Sequence, residues 1–148
     1  KRVIGRGTGA DSMTADIFID SNIVLYAQSQ NPEENEKREL ARKVLRSGRI
    51  GLSSQVLGEF YVNATRKLSP PLSHDDAVRI IAKFAQLPVL PVDSSLVTMA
   101  LDWKKRHQLS YWDALIIVAA DRMQCHTLMS EDLSHGQVFG AVRVVNPF

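Results

Sequence analysis

The chain has 148 residues, a formal net charge of +2 at pH 7, 45% hydrophobic residues and 23% charged residues. This length fits one compact domain, and the composition is ordinary for a soluble globular protein. The longest apolar run, at 114–120, is far shorter than the ~18 residues of a membrane span, so we expect no membrane association. The single cysteine, Cys125, excludes an internal disulfide and suits a reducing cytoplasm.

The first twelve residues, KRVIGRGTGADS, are rich in glycine and charge and precede Met13. We interpret residues 1–12 as a remnant of an expression vector ahead of the natural start, disordered or non-native. Residues 13–148 are expected to form a single domain. Those twelve residues hold three basic residues and one acidic residue, so the rest of the chain has no formal net charge. The positive charge of the whole chain is therefore no evidence for a nucleic-acid partner.

Short β-rich runs alternate with helical patterns along the chain, which is typical of a parallel α/β sheet. The helical patterns begin near Ser, Asn, Asp or Pro residues that favour a helix N-terminus, among them Pro32, Ser73, and Asp93 or Ser94. The most apolar of them, from Tyr111 to Met123, is expected to be buried on most sides. We predict about five strands flanked by helices, with strands at residues 17–19, 50–53, 88–92, 127–130 and 142–145.

Four acidic residues stand where this fold would place a site. Asp20 and Asp132 each follow a predicted strand, and open parallel sheets bind ligands beyond the carboxyl ends of their strands. Asp113 lies in the first turn of the most apolar helix, where the helix dipole stabilises a carboxylate. Glu59 interrupts an apolar helical segment beside Gly58. This glycine is either explained by close backbone packing near a site or incidental.

Each of these acids also has a purely structural interpretation. Asp20 can form an Asx turn, Asp113 can be an ordinary first-turn acid, Asp132 can occupy a turn, and Glu59 can face solvent. If the four converge, their repulsion requires a divalent cation or a shifted protonation state. Hard carboxylate oxygens with few imidazoles select Mg²⁺ or Mn²⁺ rather than zinc.

Four short motifs occur in order along the chain: FIDSN at 18–22, GEF at 58–60, YWDALI at 111–116 and SEDL at 130–133. This series resembles the PIN-domain nucleases, and most closely the VapC-type toxins of bacterial toxin–antitoxin pairs, over residues 16–146. The resemblance implies a PIN-like three-layer α/β sandwich. It also implies a catalytic and metal-binding role for a set of four acids, Asp20, Glu59, Asp113 and Asp132.

The same resemblance assigns supporting roles to Asn22 and Ser130, which would orient the acids or water. Glu131 competes with Asp132 for the fourth acidic role, and we prefer Asp132 because it matches the family's motif. The implied function is a cytoplasmic endoribonuclease that uses Mg²⁺ (or Mn²⁺) to hydrolyse RNA phosphodiester bonds. Its implied partners are a small antitoxin and a second copy of the chain in a homodimer.

Three other functions are weighed against the toxin interpretation. A housekeeping RNA-processing PIN nuclease without an antitoxin stays open, as does a non-catalytic PIN-fold binding module, although the presence of all four acids argues against the latter. A phosphohydrolase that works through an aspartyl-phosphate would need a second Asp two residues after the first. Asn22 occupies that position and disfavours this class.

Candidate RNA-binding side chains are present but unspecific. Basic residues follow the polar side of one helix and end another, where they can contact phosphates or simply form a solvated face. Trp112 can stack on an unpaired base or pack against the fold. The histidines show no metal-ligand spacing. The basic residues are Lys37, Arg38, Arg42, Lys43, Arg46 and Arg49 in the first group and Lys104, Lys105, Arg106 and His107 in the second.

Overall fold

The computed structural model describes residues 15–148, so the interpretation of residues 1–12 as an expression remnant lies outside the described residues. A six-stranded sheet in the order β3-β2-β1-β4-β6-β5 forms the centre of the described part. All neighbouring strands are parallel except the β5–β6 pair. The strands are β1 (Ile17–Ile19), β2 (Ile50–Ser53), β3 (Val89–Leu90), β4 (Thr127–Met129), β5 (Val138–Phe139) and β6 (Val142–Val145).

The sequence prediction of a parallel α/β sheet flanked by helices is confirmed. The sequence pattern missed β5, a two-residue strand that only two residues separate from β6. It pairs antiparallel with β6 as a hairpin at the edge of the sheet.

Six α-helices surround the sheet within residues 15–148: α1 (Ser21–Ala27), α2 (Asn35–Leu45), α3 (Ser54–Arg66), α4 (His74–Phe84), α5 (Ser94–His107) and α6 (Tyr111–Arg122). Ser73 is confirmed as the cap of α4, and Asp93 rather than Ser94 caps α5, since the side chains of Ser73 and Asp93 accept hydrogen bonds from backbone N–H groups in the first turns of these helices. Pro32 begins a separate 3₁₀ turn before α2 rather than α2 itself.

The core lies on both faces of β1, the strand between β2 and β4. Phe18 and Ile19 have no exposed surface, and the run from Ala114 to Ala120 in α6 is buried throughout, as its apolar pattern predicted. Cys125 is also buried, and burial raises the pKa of its thiol to about 12, so it remains a protonated core residue. Among the helices of residues 15–148, none combines the length and the apolar character needed to cross a bilayer.

The parallel strands bring polar residues to one edge of the sheet. The register pairs Ile19 of β1 with Met129 of β4, and the Asp20 N–H donates to the Met129 carbonyl at 3.0 Å. The residue after each strand, Asp20 and Ser130, therefore stands at the same carboxyl edge.

Gly51 in β2 provides a test of this packing. A Cβ added there would lie 2.7 Å from Met123 Cε and 2.8 Å from Ala15 Cβ. We expect Gly51→Ala to lower the free energy of unfolding by about 1–3 kcal/mol through overpacking, measured by urea denaturation. Gly58→Ala is the matched control, because its Cβ would meet open space and should gain about 0.5–1 kcal/mol from helix propensity. Equal stability of Gly51→Ala and the natural chain would contradict the packing.

Candidate functional site

Asp20 is a buried carboxylate at the end of β1. It is the N-cap of α1 and is only 6% exposed. Its Oδ1 accepts the Ser21 N–H at 2.7 Å, and its Oδ2 accepts the Ser130 hydroxyl at 2.8 Å. Both carboxylate oxygens are thus held in one orientation by groups of the protein.

The environment of Asp20 disfavours its negative charge. Burial is the main cause that raises the pKa of Asp20 to about 6, and the carboxylates of Glu59 and Asp132 raise it further. The hydrogen bonds from Ser130 and Ser21 act in the opposite direction because they stabilise the ionised form. Three of the four predicted acids therefore lie within electrostatic range of one another.

Glu59 is connected to Asp20 through Ser21. The Ser21 hydroxyl donates to Glu59 Oε2 at 3.1 Å, and Gln55 Nε2 donates to Glu59 Oε1 at 2.8 Å. Neither Ser21 nor Gln55 was predicted from the sequence to support the acids. The available signals were the position of Ser21 next to Asp20 and the four-residue spacing of Gln55 and Glu59 on one helix face.

Asn22 and Ser130 contact the acids that they were predicted to support. Asn22 Nδ2 donates to Asp132 Oδ2 at 3.3 Å, and Asn22 Oδ1 accepts the Glu131 N–H at 3.2 Å. The Ser130 hydroxyl, which donates to Asp20, also accepts the Asp132 N–H at 3.1 Å. Their contacts join β1, α1 and the turn after β4, as an orienting role requires.

Asp113 lies apart from this network. It is in the first turn of α6, where its N–H donates to the Ser110 hydroxyl at 3.1 Å. Within residues 15–148 no side-chain hydrogen bond connects it to the other three acids. The nearest link is Gln55, whose Nε2 bonds both Glu59 and, at 3.3 Å, the carbonyl of Trp112. Convergence of all four acids stays a prediction.

The side chain of Glu131 binds residues of α1 and α2. It forms an ion pair with Lys37 of α2 and accepts the Tyr26 hydroxyl at 2.8 Å. The Lys37 Nζ also lies 4.6 Å from the centroid of the Tyr26 ring. These contacts support Asp132 rather than Glu131 as the fourth acid.

Basic residues of α2 bind the fold rather than project freely. Besides Lys37, Arg38 donates to the Ser29 carbonyl at 3.3 Å and Arg42 to the Ala27 carbonyl at 3.1 Å. Since these three side chains hold α2 against α1 and the turn after β4, they are weak candidates for phosphate contacts.

A groove of about 690 Å³ lies beside Glu59, between α3 and the start of α6. Gly58 faces it, and no heavy atom of a described residue beyond its own neighbours and helix backbone lies within 4 Å of an added Cβ. Of the two interpretations of Gly58, close backbone packing is therefore excluded. Trp112 borders the groove with 61% of its surface exposed, so it does not pack into the fold.

The acids match a hard divalent cation in donor chemistry. They offer only oxygen ligands, and a nearby cation would favour the charged form of Asp20. Within residues 15–148, however, no three His, Cys, Asp or Glu side chains lie close enough together to hold one ion. Binding of a Mg²⁺ or Mn²⁺ ion by the four acids therefore stays a prediction.

Comparisons with known proteins agree with this α/β fold. The family model of the PIN domain matches residues 17–138, whereas no curated protein matches the chain. Solved structures with a similar fold include Mycobacterium tuberculosis VapC20, described as a sarcin–ricin loop cleaving toxin. That similarity has a TM-score of 0.63 and 21% identity, and it covers 76% of this chain and 86% of VapC20.

Two further structures are similar over a larger share of this chain. A toxin–antitoxin complex from Klebsiella pneumoniae has a TM-score of 0.63 and 15% identity, and the match covers 89% of this chain and 98% of that chain. FitAcB from Neisseria gonorrhoeae has a TM-score of 0.58 and 19% identity, with 88% and 97% covered. At such identities the similarity concerns the fold.

The raised pKa of Asp20 generates a prediction about stability without metal. Folded Asp20 holds its proton up to about pH 6, whereas an unfolded aspartate releases it near pH 3.9. The folded state therefore loses stability as the pH rises from about 4 to 6. With EDTA present, Asp20→Asn should increase the free energy of unfolding at pH 7.5 by up to about 3 kcal/mol.

The stability gain of Asp20→Asn should largely disappear near pH 3.5, where Asp20 is mostly protonated in both the folded and the unfolded state. Urea denaturation at the two pH values measures it. Asp102→Asn, which alters an exposed ion pair with Arg106 on α5, is the control and should change stability by less than about 1 kcal/mol. If Asp20→Asn gains nothing at pH 7.5 relative to pH 3.5, the carboxylate is not destabilised by its surroundings.

Proposed function

This chain belongs to the PIN-domain family, and from this premise we propose that it is a metal-dependent endoribonuclease that acts as the toxin of a toxin–antitoxin pair. The observation that carries the proposal is the buried carboxylate of Asp20 at the end of β1. Its pKa is raised to about 6, and the charges of Glu59 and Asp132 contribute. A site that holds acids at such a cost to stability favours a cationic cofactor.

The four acids would hold the ion: Asp20, Glu59, Asp113 and Asp132. The chemistry supplied by a bound Mg²⁺ or Mn²⁺ is a lowered pKa of water and positive charge beside the phosphate oxygens. With a metal-activated water as nucleophile, the RNA 2′-hydroxyl need not take part.

The protein's own contribution is to fix the orientation of the acids. Ser130 and the Ser21 N–H hold both oxygens of Asp20, the Ser21 hydroxyl and Gln55 hold Glu59, and Asn22 holds Asp132. Neutral donors leave each carboxylate its negative charge while they limit its rotation. Oriented acids are what an in-line attack on a phosphodiester requires.

The partners are proposed from the solved structures that have a similar fold. Two of the similar structures are a toxin–antitoxin complex and a toxin described as cleaving the sarcin–ricin loop. They support an RNA substrate and a small antitoxin for this chain. We also propose that it works in the cytoplasm, as a homodimer.

Cleavage of RNA tests the proposed reaction. Purified protein should cut single-stranded RNA with Mg²⁺ or Mn²⁺ and lose activity in EDTA. Asp20→Asn should lower the cleavage rate by more than the roughly 10–100-fold that loss of an orienting partner costs at metal sites. Asp102→Asn serves as the folded control with unchanged activity.

Two outcomes of this experiment would contradict the proposal: cleavage that persists in EDTA, or an Asp20→Asn variant that is fully active. Growth separates the toxin from a housekeeping nuclease. Expression of the natural chain should arrest growth, Asp20→Asn should not, and co-expression of a small neighbouring open reading frame should relieve the arrest.

Lys37 is predicted to act as a positioning residue. It holds the Glu131 side chain, the Glu131 N–H donates to Asn22, and Asn22 donates to Asp132. We expect Lys37→Met to raise the Mg²⁺ concentration needed for half-maximal cleavage by about 10-fold. Because the ion pair is partly exposed, with 38% and 27% of the two side chains accessible, stability should fall by no more than about 1 kcal/mol.

Lys37→Arg keeps the charge and should recover most of the Mg²⁺ response. Arg106→Met removes an exposed cation from α5 and is the matched control. An unchanged Mg²⁺ response in Lys37→Met would remove Lys37 from the positioning network.

A further inference from the structure

The groove between α3 and α6 adjoins the proposed reaction site. Glu59 forms part of the groove wall, and it also accepts the hydroxyl of Ser21, the residue that follows Asp20. The cavity therefore opens directly beside the acids. If one phosphate of an RNA strand lies at these acids, a neighbouring nucleotide of that strand reaches the groove.

The lining of the groove has the chemistry of a base site. Trp112 stands at its edge with 61% of its surface exposed, and the centroid of its ring lies 4.9 Å from that of Tyr111. Val62 and Leu115 add apolar walls, while Gln55 and Asn63 add amide groups. An aromatic platform with apolar walls and a few polar groups suits a flat ring with a hydrogen-bonding edge.

The shape of the apolar surface favours a nucleobase over a second protein. Only two of the large exposed hydrophobic side chains among the described residues, Val62 and Trp112, border the groove. The others are spread over α4, the segment after it, α5 and β5: Val78, Leu87, Leu101 and Val138. A stable protein interface needs about 800 Å² from each partner, and two isolated side chains do not form such a patch.

Gln55 connects the groove to the acids. Its Nε2 donates to Glu59 Oε1 at 2.8 Å and to the Trp112 carbonyl at 3.3 Å. The start of α6, which carries Trp112, is thereby fixed relative to the Glu59 carboxylate. A ring stacked on Trp112 would hold its nucleotide at a defined position from Glu59.

We propose that this groove is a base-binding subsite that holds one unpaired base of the RNA strand, with Trp112 as the stacking residue. The inference rests on the proposed nuclease function for its substrate class, but the contact itself can be measured without cleavage. The opening left by Gly58 provides room for the ring beside α3.

The experiment measures RNA binding in EDTA, where the proposed reaction does not run. The probe is a ten-nucleotide single-stranded RNA of mixed sequence, paired with an oligomer of the same backbone whose sugars carry no bases. Trp112→Leu should weaken binding of the natural oligomer by roughly 5- to 150-fold, the equivalent of one lost base stack. It should leave binding of the abasic oligomer unchanged, and Trp112→Phe should retain most of the affinity.

Trp103 provides the matched control. It lies on α5 beside His107 and is the other of the two tryptophans in the chain. Trp103→Phe should bind RNA normally, and RNA should quench the fluorescence of its remaining tryptophan, Trp112. Circular dichroism of every variant checks that it is folded, and light scattering records its oligomeric state.

Each outcome decides the proposal. Natural affinity in folded Trp112→Leu, or equal losses with the two oligomers, overturns the subsite, and so does a natural chain that binds no RNA. If Trp112→Leu changes the oligomeric state but not the RNA affinity, the groove is an interface between copies of the chain, and the subsite proposal is overturned. Trp112-dependent binding without any metal-dependent cleavage supports the subsite while it refutes the nuclease, whereas cleavage with Trp112-independent binding does the reverse.

Discussion

The site depends on a carboxylate that is buried at the end of the central parallel strand. Asp20 is 6% exposed, and desolvation together with two neighbouring acids raises its pKa to about 6. The fold tolerates this charge because the Ser21 N–H and the Ser130 hydroxyl bind one carboxylate oxygen each. The groups around Asp20 either stabilise its charge, as Ser21 and Ser130 do, or add to its destabilisation, as Glu59 and Asp132 do.

The groups that orient the acids are mostly neutral. Ser21, Asn22, Gln55 and Ser130 donate to Glu59, Asp132 and Asp20 without cancelling their charge. The ion pair nearest to them, between Lys37 and Glu131, is formed by a carboxylate outside the proposed set. A site that reserves its negative charge in this way is well suited to a hard divalent cation, in agreement with the function proposed for this PIN-domain chain.

The groove adds a second kind of surface next to the acids. Acidic side chains alone would repel a polyanion, so an RNA strand needs favourable contacts that do not depend on charge. Apolar walls and an exposed indole beside Glu59 offer such contacts. In the proposed division of roles, the acids act on the phosphate while the groove positions the nucleotide.

The sequence by itself determined the features that depend on neighbours in the chain. Alternating and helical patterns located the five predicted strands and the buried helix α6, and Ser73 and Asp93 identified helix starts, because caps and amphipathic periods involve residues within a few positions. The motif series indicated the family and the four candidate acids. The two-residue strand β5 was not predicted, because only two residues separate it from β6 and its identity as a strand depends on pairing back onto β6.

Only the tertiary structure decided which groups meet across the fold. The Asp20–Ser130 and Asn22–Asp132 hydrogen bonds each join residues 110 positions apart in the chain. Lys37 and Glu131, which form an ion pair, are 94 positions apart. The tertiary structure also decided that Gly58 faces open space and that Trp112 is exposed. Such facts depend on how whole helices pack on the sheet, and a one-dimensional pattern records the face of a helix but not what stands opposite it.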